Sequence, residues 1–195
     1  MRYIGASTYP AAQIVKAQWV ARDRGLQRFV CEQPPYSILA RGIEADVLPT
    51  CQELGLGVIA WSPLAGGWLS GRWRKGAEDL TSRRSAMVPQ RYDLSIPANQ
   101  AKLEAADALG QLADDAGMSL IDMALAFVIR HPAITAAIIG PPTMEQLESQ
   151  LGAADVQLDD ALLNRIDEIV APGTNVNPTD AGWTNPALAP AARRR

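Results

Sequence analysis

Four short apolar runs constrain this chain most. They are Tyr3–Ala6, Arg28–Cys31, Gly57–Trp61 and Ala136–Gly140. Each is rich in β-branched or aromatic residues and bounded by Gly or Pro. None alternates strongly between apolar and polar. That pattern belongs to strands of a parallel sheet covered on both faces. Helical patterns lie between the runs. Pro10–Arg24 carries Ile14, Val15, Trp19 and Val20 and stops at Gly25, and Ile43–Leu54 stops at Gly55. Asn99–Ala116 and Ser119–Arg130 follow, split at Gly117. Thr143–Leu151 opens on a Thr143-x-x-Gln146 capping box, and Asp159–Val170 carries the stripe Leu162, Leu163, Ile166, Ile169. The order β-α-β-α-β, a long interruption, α-α-β-α and a last helix predicts an α/β fold with a parallel sheet.

The interruption, Ser62–Pro97, is rich in Gly, Arg and Ser. It is too long for an idle connection and reads as a functional loop or lid. The segment from Pro172 to Arg195 reads as a tail, extended and flexible apart from docking by Trp183. Residues 1–171 therefore form the domain and 172–195 the tail. Four strands fall short of the eight of an α/β barrel and of the five usual in a flavodoxin-like sheet.

Composition narrows the function classes. The 195 residues are 48% hydrophobic and 20% charged, with a formal net charge of -3. A basic nucleic-acid surface is not expected from that balance. No apolar stretch reaches the ~18–20 residues of a membrane helix, and no signal peptide is visible. Cys31 and Cys51 have neither disulfide-scaffold nor zinc spacing. The expectation is a cytoplasmic protein with no nucleic-acid or membrane partner.

His131 stands alone at a helix end, where it reads as a dipole partner. Gly-x-Ser-x-Gly, the phosphate loop Gly-x-x-x-x-Gly-Lys-Ser/Thr and Gly-x-Gly-x-x-Gly are all absent. The strand ends are more informative, because a parallel sheet presents its functional groups there. They carry Ser7-Thr8, Glu32-Gln33, Trp61-Ser62 and Gly140. Hydroxyls, an amide and an indole face suit a planar ring bearing a carboxamide, such as nicotinamide. The plain alternative is that Trp61 caps the core while Ser7 and Thr8 cap the next helix. Gly140-Pro141-Pro142-Thr143 leads into a capped helix N-terminus, a place where anions bind. Arg72, Arg83 and Arg84 in the long loop offer charge-assisted contacts to a phosphate, or are simply solvated.

At these residues the sequence resembles the aldo-keto reductase superfamily, in its potassium-channel β-subunit-like branch. The motifs are RYIGAS (Arg2–Ser7), CEQPPYSILAR (Cys31–Arg41), GVIAWSPLAGGWLSGR (Gly57–Arg72) and IIGPPTMEQLESQLGA (Ile138–Ala153). The resemblance runs from Arg2 to about Val170. It implies the C-terminal half of a (β/α)8 TIM barrel, whose full-length members reduce aldehydes and ketones with NADP(H), and with NAD(H) as the second choice.

Carried over residue by residue, Ser7 and Gln33 would hydrogen-bond the nicotinamide carboxamide, with Thr8 where Asn is usual. Trp61 would stack on the ring. Ser62, Pro63, Leu64 and Gly66 would line the pyrophosphate, with Arg72 and Arg83 nearby. Gly140, Gln146 and Gln150 would face the adenosine end. Ser149 and Gln150 replace a common Glu and Asn, and Pro142 stands where many relatives have a group for the 2′-phosphate. The aligned region begins at the family's fifth strand, and its catalytic Asp, Tyr, Lys and His have no counterpart here. The expectation is a truncated oxidoreductase that is inactive alone and self-associates through an exposed barrel face. Alternatives are a non-catalytic NADP(H)-binding module or subunit pairing with a separate N-terminal half, and a small open-sheet protein of unrelated function.

Overall fold

The computed structural model describes residues 1–77 and 83–193. Four strands form one parallel sheet: β1 (Gly5–Ala6), β2 (Cys31–Glu32), β3 (Gly57–Trp61) and β4 (Ala136–Ile138), in the spatial order β1-β2-β3-β4. The register pairs Gly5 with Cys31, Cys31 with Gly57, Ile59 with Ala136 and Trp61 with Ile138. Spatial order follows chain order without reversal. That is the winding of a (β/α)8 barrel, not of a doubly wound sheet, which reverses at a switch point. The fold is α/β, with the strand and helix order of a partial TIM barrel.

The helices are α1 (Ala11–Asp23), α2 (Val47–Leu54), the short α3 (Arg83–Met87), α4 (Pro97–Asp115), α5 (Leu120–Arg130), α6 (Met144–Leu151), α7 (Asp160–Ile169) and α8 (Pro190–Arg193). Local chemistry sets several of their starts. The side chains of Ser119, Thr143 and Asp159 accept the backbone N–H of Asp122, Gln146 and Leu162 respectively, satisfying donors a helix N-terminus leaves free. Gly55 ends α2 with φ 66°, a left-handed conformation that costs glycine little. Among the described residues no helix is long and apolar enough to cross a membrane.

The strands are not covered on both faces, contrary to the unalternating sequence. Ala6, Glu32, Val58 and Ala60 are buried toward the helices, whereas Gly5, Ala136 and Ile138 are exposed on alternate positions. Apolar character on both sides is what a barrel strand needs, since its inner face meets other strands. The covered side is the core. Ile14, Leu48, Leu109, Met123 and Val128 meet the sheet residues there, each at 1% exposure or less.

The long segment after β3 is not an idle loop. Its Trp68 and Trp73 are buried, with ring centroids 4.3 Å apart, and both stack with Tyr92 at 5.5 and 5.3 Å. This aromatic set ties the excursion into the main core. The sequence reading has an extended tail from Pro172, but the structure ties its first part down. Thr174 O accepts from Arg41 N, Val176 N donates to Leu39 O, and Asn177 Nδ2 donates to Asn99 Oδ1. Arg41 also bonds Glu44, Asp167 and the Val170 carbonyl, fixing the end of α7 to the chain after β2. Gly42 is required at that junction. A Cβ there would stand 2.7 Å from Asn175 Nδ2, whose Oδ1 accepts the Gly42 N–H.

Candidate functional site

The C-terminal ends of β1, β2 and β3 adjoin, because these strands are neighbours. Ser7 Oγ donates to Gln33 O at 2.9 Å, and Thr8 N donates to the same carbonyl at 3.3 Å. Trp61 N donates to Pro34 O, and Tyr36 N to Trp61 O. Ser7, Gln33 and Trp61 thus end three consecutive strands on one rim. Trp61 and Gln33 are half-buried, and Ser7 is exposed. Among the described residues the Gln33 side-chain amide has no hydrogen-bonding partner.

Among the described residues, three non-glycine residues have φ in the left-handed region: Thr8 (59°), Ser62 (60°) and Ala65 (51°). All three follow strand ends at this rim. For the β-branched Thr8 this conformation is especially unfavourable, and strain of this kind concentrates where a backbone is shaped for a ligand. In the turn after β3, Tyr92 OH donates to Gly66 O at 2.6 Å, and a Cβ on Gly66 would stand 3.1 Å from that hydroxyl.

A cleft opens beside Trp61. Its walls include Ser62, Gly66, Trp68, Arg91, Lys102 and Asp180. Of the expected pyrophosphate residues, Ser62 and Gly66 therefore line it. Pro63 is buried, and Leu64 packs against the core. Arg72 is exposed and does not line the cleft. Arg83 begins α3, and its side chain lies outside the described residues. Gly140 and Gln146 are exposed and Gln150 is half-buried, on the strand end and helix following β4. They are close to the rim only through the pairing of Ile138 with Trp61. Thr8 lines a second cavity of about 210 Å³, together with Tyr9, Pro34, Pro35, Asp46 and Trp183.

Lys102, Arg91 and Asp180 are cleft residues the sequence reading missed. Lys102 had a signal: it stands three, four and seven positions before Ala105, Ala106 and Leu109, on the core stripe of its helix, and is 2% exposed. Other polar groups near the rim have structural explanations. Glu32 is fully buried; its Oε1 accepts the Tyr9 N–H at 2.9 Å while Oε2 has no partner. Burial pushes its carboxyl above the usual range, against lowering by backbone N–H groups. The Cys51 thiol is pushed up to about 11 by burial and by Glu32, and so is unreactive. His131 Nδ1 accepts the Ala133 N–H at 3.2 Å, and burial lowers the imidazole's proton affinity.

Tyr36 and Tyr92 hydroxyls are both pushed up by burial, Tyr36 further by Glu44, whose carboxylate it bonds. A proton-donating tyrosine needs the opposite shift. Among the described residues no cluster of three His, Cys, Asp or Glu side chains is arranged to hold a metal ion.

Comparison with known proteins agrees with this geometry. The chain is 38% identical over 181 residues to "Uncharacterized oxidoreductase YrpG" of Bacillus subtilis, covering 93% of this chain and 52% of that protein. It is 32% identical over 172 residues to "Probable voltage-gated potassium channel subunit beta" of Arabidopsis thaliana, covering 86% and 52%. It is 29% identical over 170 residues to "Protein tas" of Escherichia coli, covering 87% and 48%. The chain spans about half the length of the curated relatives it matches. The aldo/keto reductase family model matches residues 1–171. With a singly wound parallel sheet and a polar rim at its strand ends, the chain belongs to the aldo/keto reductase family.

Proposed function

We propose that this chain supplies the nicotinamide-dinucleotide half of an aldo/keto reductase-type oxidoreductase, with NADP(H) as cofactor and NAD(H) second. The observation that carries it is the adjacency of Ser7, Gln33 and Trp61 at three successive strand ends. The free Gln33 amide and the Ser7 hydroxyl suit a carboxamide, and the half-open indole of Trp61 suits a flat ring. Ser62 and Gly66 suit the pyrophosphate, while Arg72, Arg83, Gly140, Gln146 and Gln150 serve the rest of the dinucleotide. When bound, the cofactor supplies hydride for reduction of a small aldehyde or ketone.

On this reading the family's catalytic Asp, Tyr, Lys and His have no counterpart among these residues. Tyr36 and Tyr92 are poor acids here, and general acid catalysis contributes roughly 10²–10⁴-fold. The isolated chain therefore reduces aldehydes negligibly. Its bare sheet face favours a second reading, a dinucleotide-binding subunit that associates with itself or with a chain bearing the other strands. Sedimentation checks that association, and a monomer at every concentration counts against it.

Titrating NADPH and then NADH into the purified chain, followed by nicotinamide fluorescence, tests the main reading. NADPH is expected to bind, and Trp61→Ala to weaken it roughly tenfold through loss of ring stacking. Absence of binding by the unmodified chain would overturn the proposal. Turnover of a reactive aldehyde near ~1–10 per second would overturn the claim of inactivity.

A further inference from the structure

The cleft beside Trp61 is closed on one side by the tail. Asp180 sits in the 3-10 turn Pro178–Ala181, and its Oδ2 lies 2.8 Å from Lys102 Nζ. The lysine side chain is 2% exposed and the aspartate 17%. Lys102 Nζ also lies 4.8 Å over the Trp68 ring. Two further polar groups belong to residues of the same cleft, Ser37 Oγ and Trp68 Nε1, and both are buried with no hydrogen-bonding partner. The indole N–H can only donate, and the hydroxyl can donate. Among the described residues lining this cleft, Lys102 and Arg91 are cations and Asp180 is the one anion.

This is an unusual balance. Buried donors without acceptors are costly and call for an explanation, such as a ligand. A buried ammonium is costly without an anion, and here burial opposes the charge that Asp180 sustains. That anion is held by a short turn, not by the core. Beyond it, Ala187–Ala192 are exposed.

We propose that Lys102 is an anion-receiving group of the dinucleotide cleft and that Asp180 is its resident counter-ion, displaced when a phosphate of the dinucleotide enters. The inference rests on the dinucleotide reading above and adds a residue pair and a gate to it. Tail docking and phosphate binding then compete for one ammonium, so each weakens the other by the same factor. The donors Trp68 Nε1 and Ser37 Oγ are free to serve the incoming oxygens.

The test uses the unmodified full chain. Hydrogen exchange is measured at the Thr179 and Asp180 amides, which donate to Asn177 Oδ1 and Asn177 O. It is repeated with NADPH and with inorganic pyrophosphate. Both ligands are expected to speed exchange at these two amides several-fold. Unchanged or slower exchange with ligand bound overturns the gate. In parallel, Asp180→Asn is expected to bind both ligands roughly five- to tenfold more tightly, and Lys102→Met to abolish that gain in the double variant. Equal affinity of Asp180→Asn and the unmodified chain also overturns it. If Asp180→Asn does not fold, the exchange measurement decides alone. Pyrophosphate that loosens the tail while NADPH fails to bind would sink the dinucleotide reading and keep the gate. NADPH that binds without loosening the tail would do the reverse, and binding of neither would sink both.

Discussion

The two faces of the sheet share the same strands and differ in almost everything else. Toward the helices, Glu32, Val58 and Ala60 are 0% exposed; on the other side Ile138 is 40% exposed. Residues one position apart therefore live in different solvents. The helices of this chain provide one core in full, and the inner face has the apolar side chains of a barrel interior without the strands that fill one. The difference teaches that these residues complete one packed layer, while the other face of the sheet has no covering layer among the described residues. It also separates residues that maintain the fold from those that await a partner or ligand.

The largest expected effect tests the covered face. Leu109 is fully buried in α4 within the core. Leu109→Ala is expected to cost about 2–5 kcal/mol, the lost transfer energy plus the cavity left behind. Urea unfolding followed by circular dichroism measures it. A loss under about 1 kcal/mol would mean that this layer is loosely packed, and the contrast between the faces would collapse.

Glu32 sharpens the same contrast through pH. Burial raises its carboxyl above the ordinary value of 4.5, so the folded chain holds this proton more tightly than the unfolded chain does. The resulting stability is fully present below about pH 4.5 and is lost as pH rises through the folded value. Glu32→Gln removes that dependence. Melting temperatures of both forms between pH 4 and 7 should shift in favour of the variant as pH rises. At pH 7 the stability difference should be on the order of 1–3 kcal/mol, the cost of a buried unsatisfied polar group. Parallel curves would show that water reaches Glu32 and that the covered face is not sealed.

Much of this architecture is legible in the residues. Short apolar runs near Gly or Pro mark the four strands, although the run Arg28–Cys31 meets β2 only at Cys31, and capping side chains such as Thr143 and Asp159 fix helix starts by local hydrogen bonds. The Ser7–Gln33–Trp61 rim follows once strand order follows chain order. What the sequence hides is long-range. Trp68, Trp73 and Tyr92 have no periodic spacing and meet only in three dimensions. Lys102 and Asp180 are 78 positions apart, so their pairing turns an apparent tail into part of the cleft. Arg72 is a different case: it follows a series of irregular turns, whose direction no pattern encodes, and it is exposed without lining the cleft.

At the rim between the faces, Thr8 provides a smaller test. Its φ of 59° disfavours a β-branched side chain, whereas Asn tolerates that region. Thr8→Asn is expected to stabilise the chain by about 1 kcal/mol in urea unfolding, the lower end of what such strain costs. A destabilised variant would mean that the threonine's packing, its methyl lying close to Gly182, outweighs the strain.

The smallest effect is expected on the bare face, and it is the one that most directly breaks the comparison. Ile138 ends β4 beside Trp61 and is 40% exposed, so less apolar area is removed from water there than at the fully buried Leu109. Ile138→Ser should change stability by no more than about 0.5 kcal/mol, as for exposed positions generally. The measurement is made at two chain concentrations tenfold apart. A loss that is large at the higher concentration and absent at the lower would mean that a second copy covers this face, because mass action makes such stability concentration-dependent. A loss that is large at both would mean that the chain buries Ile138 itself, and the two faces would not differ as described.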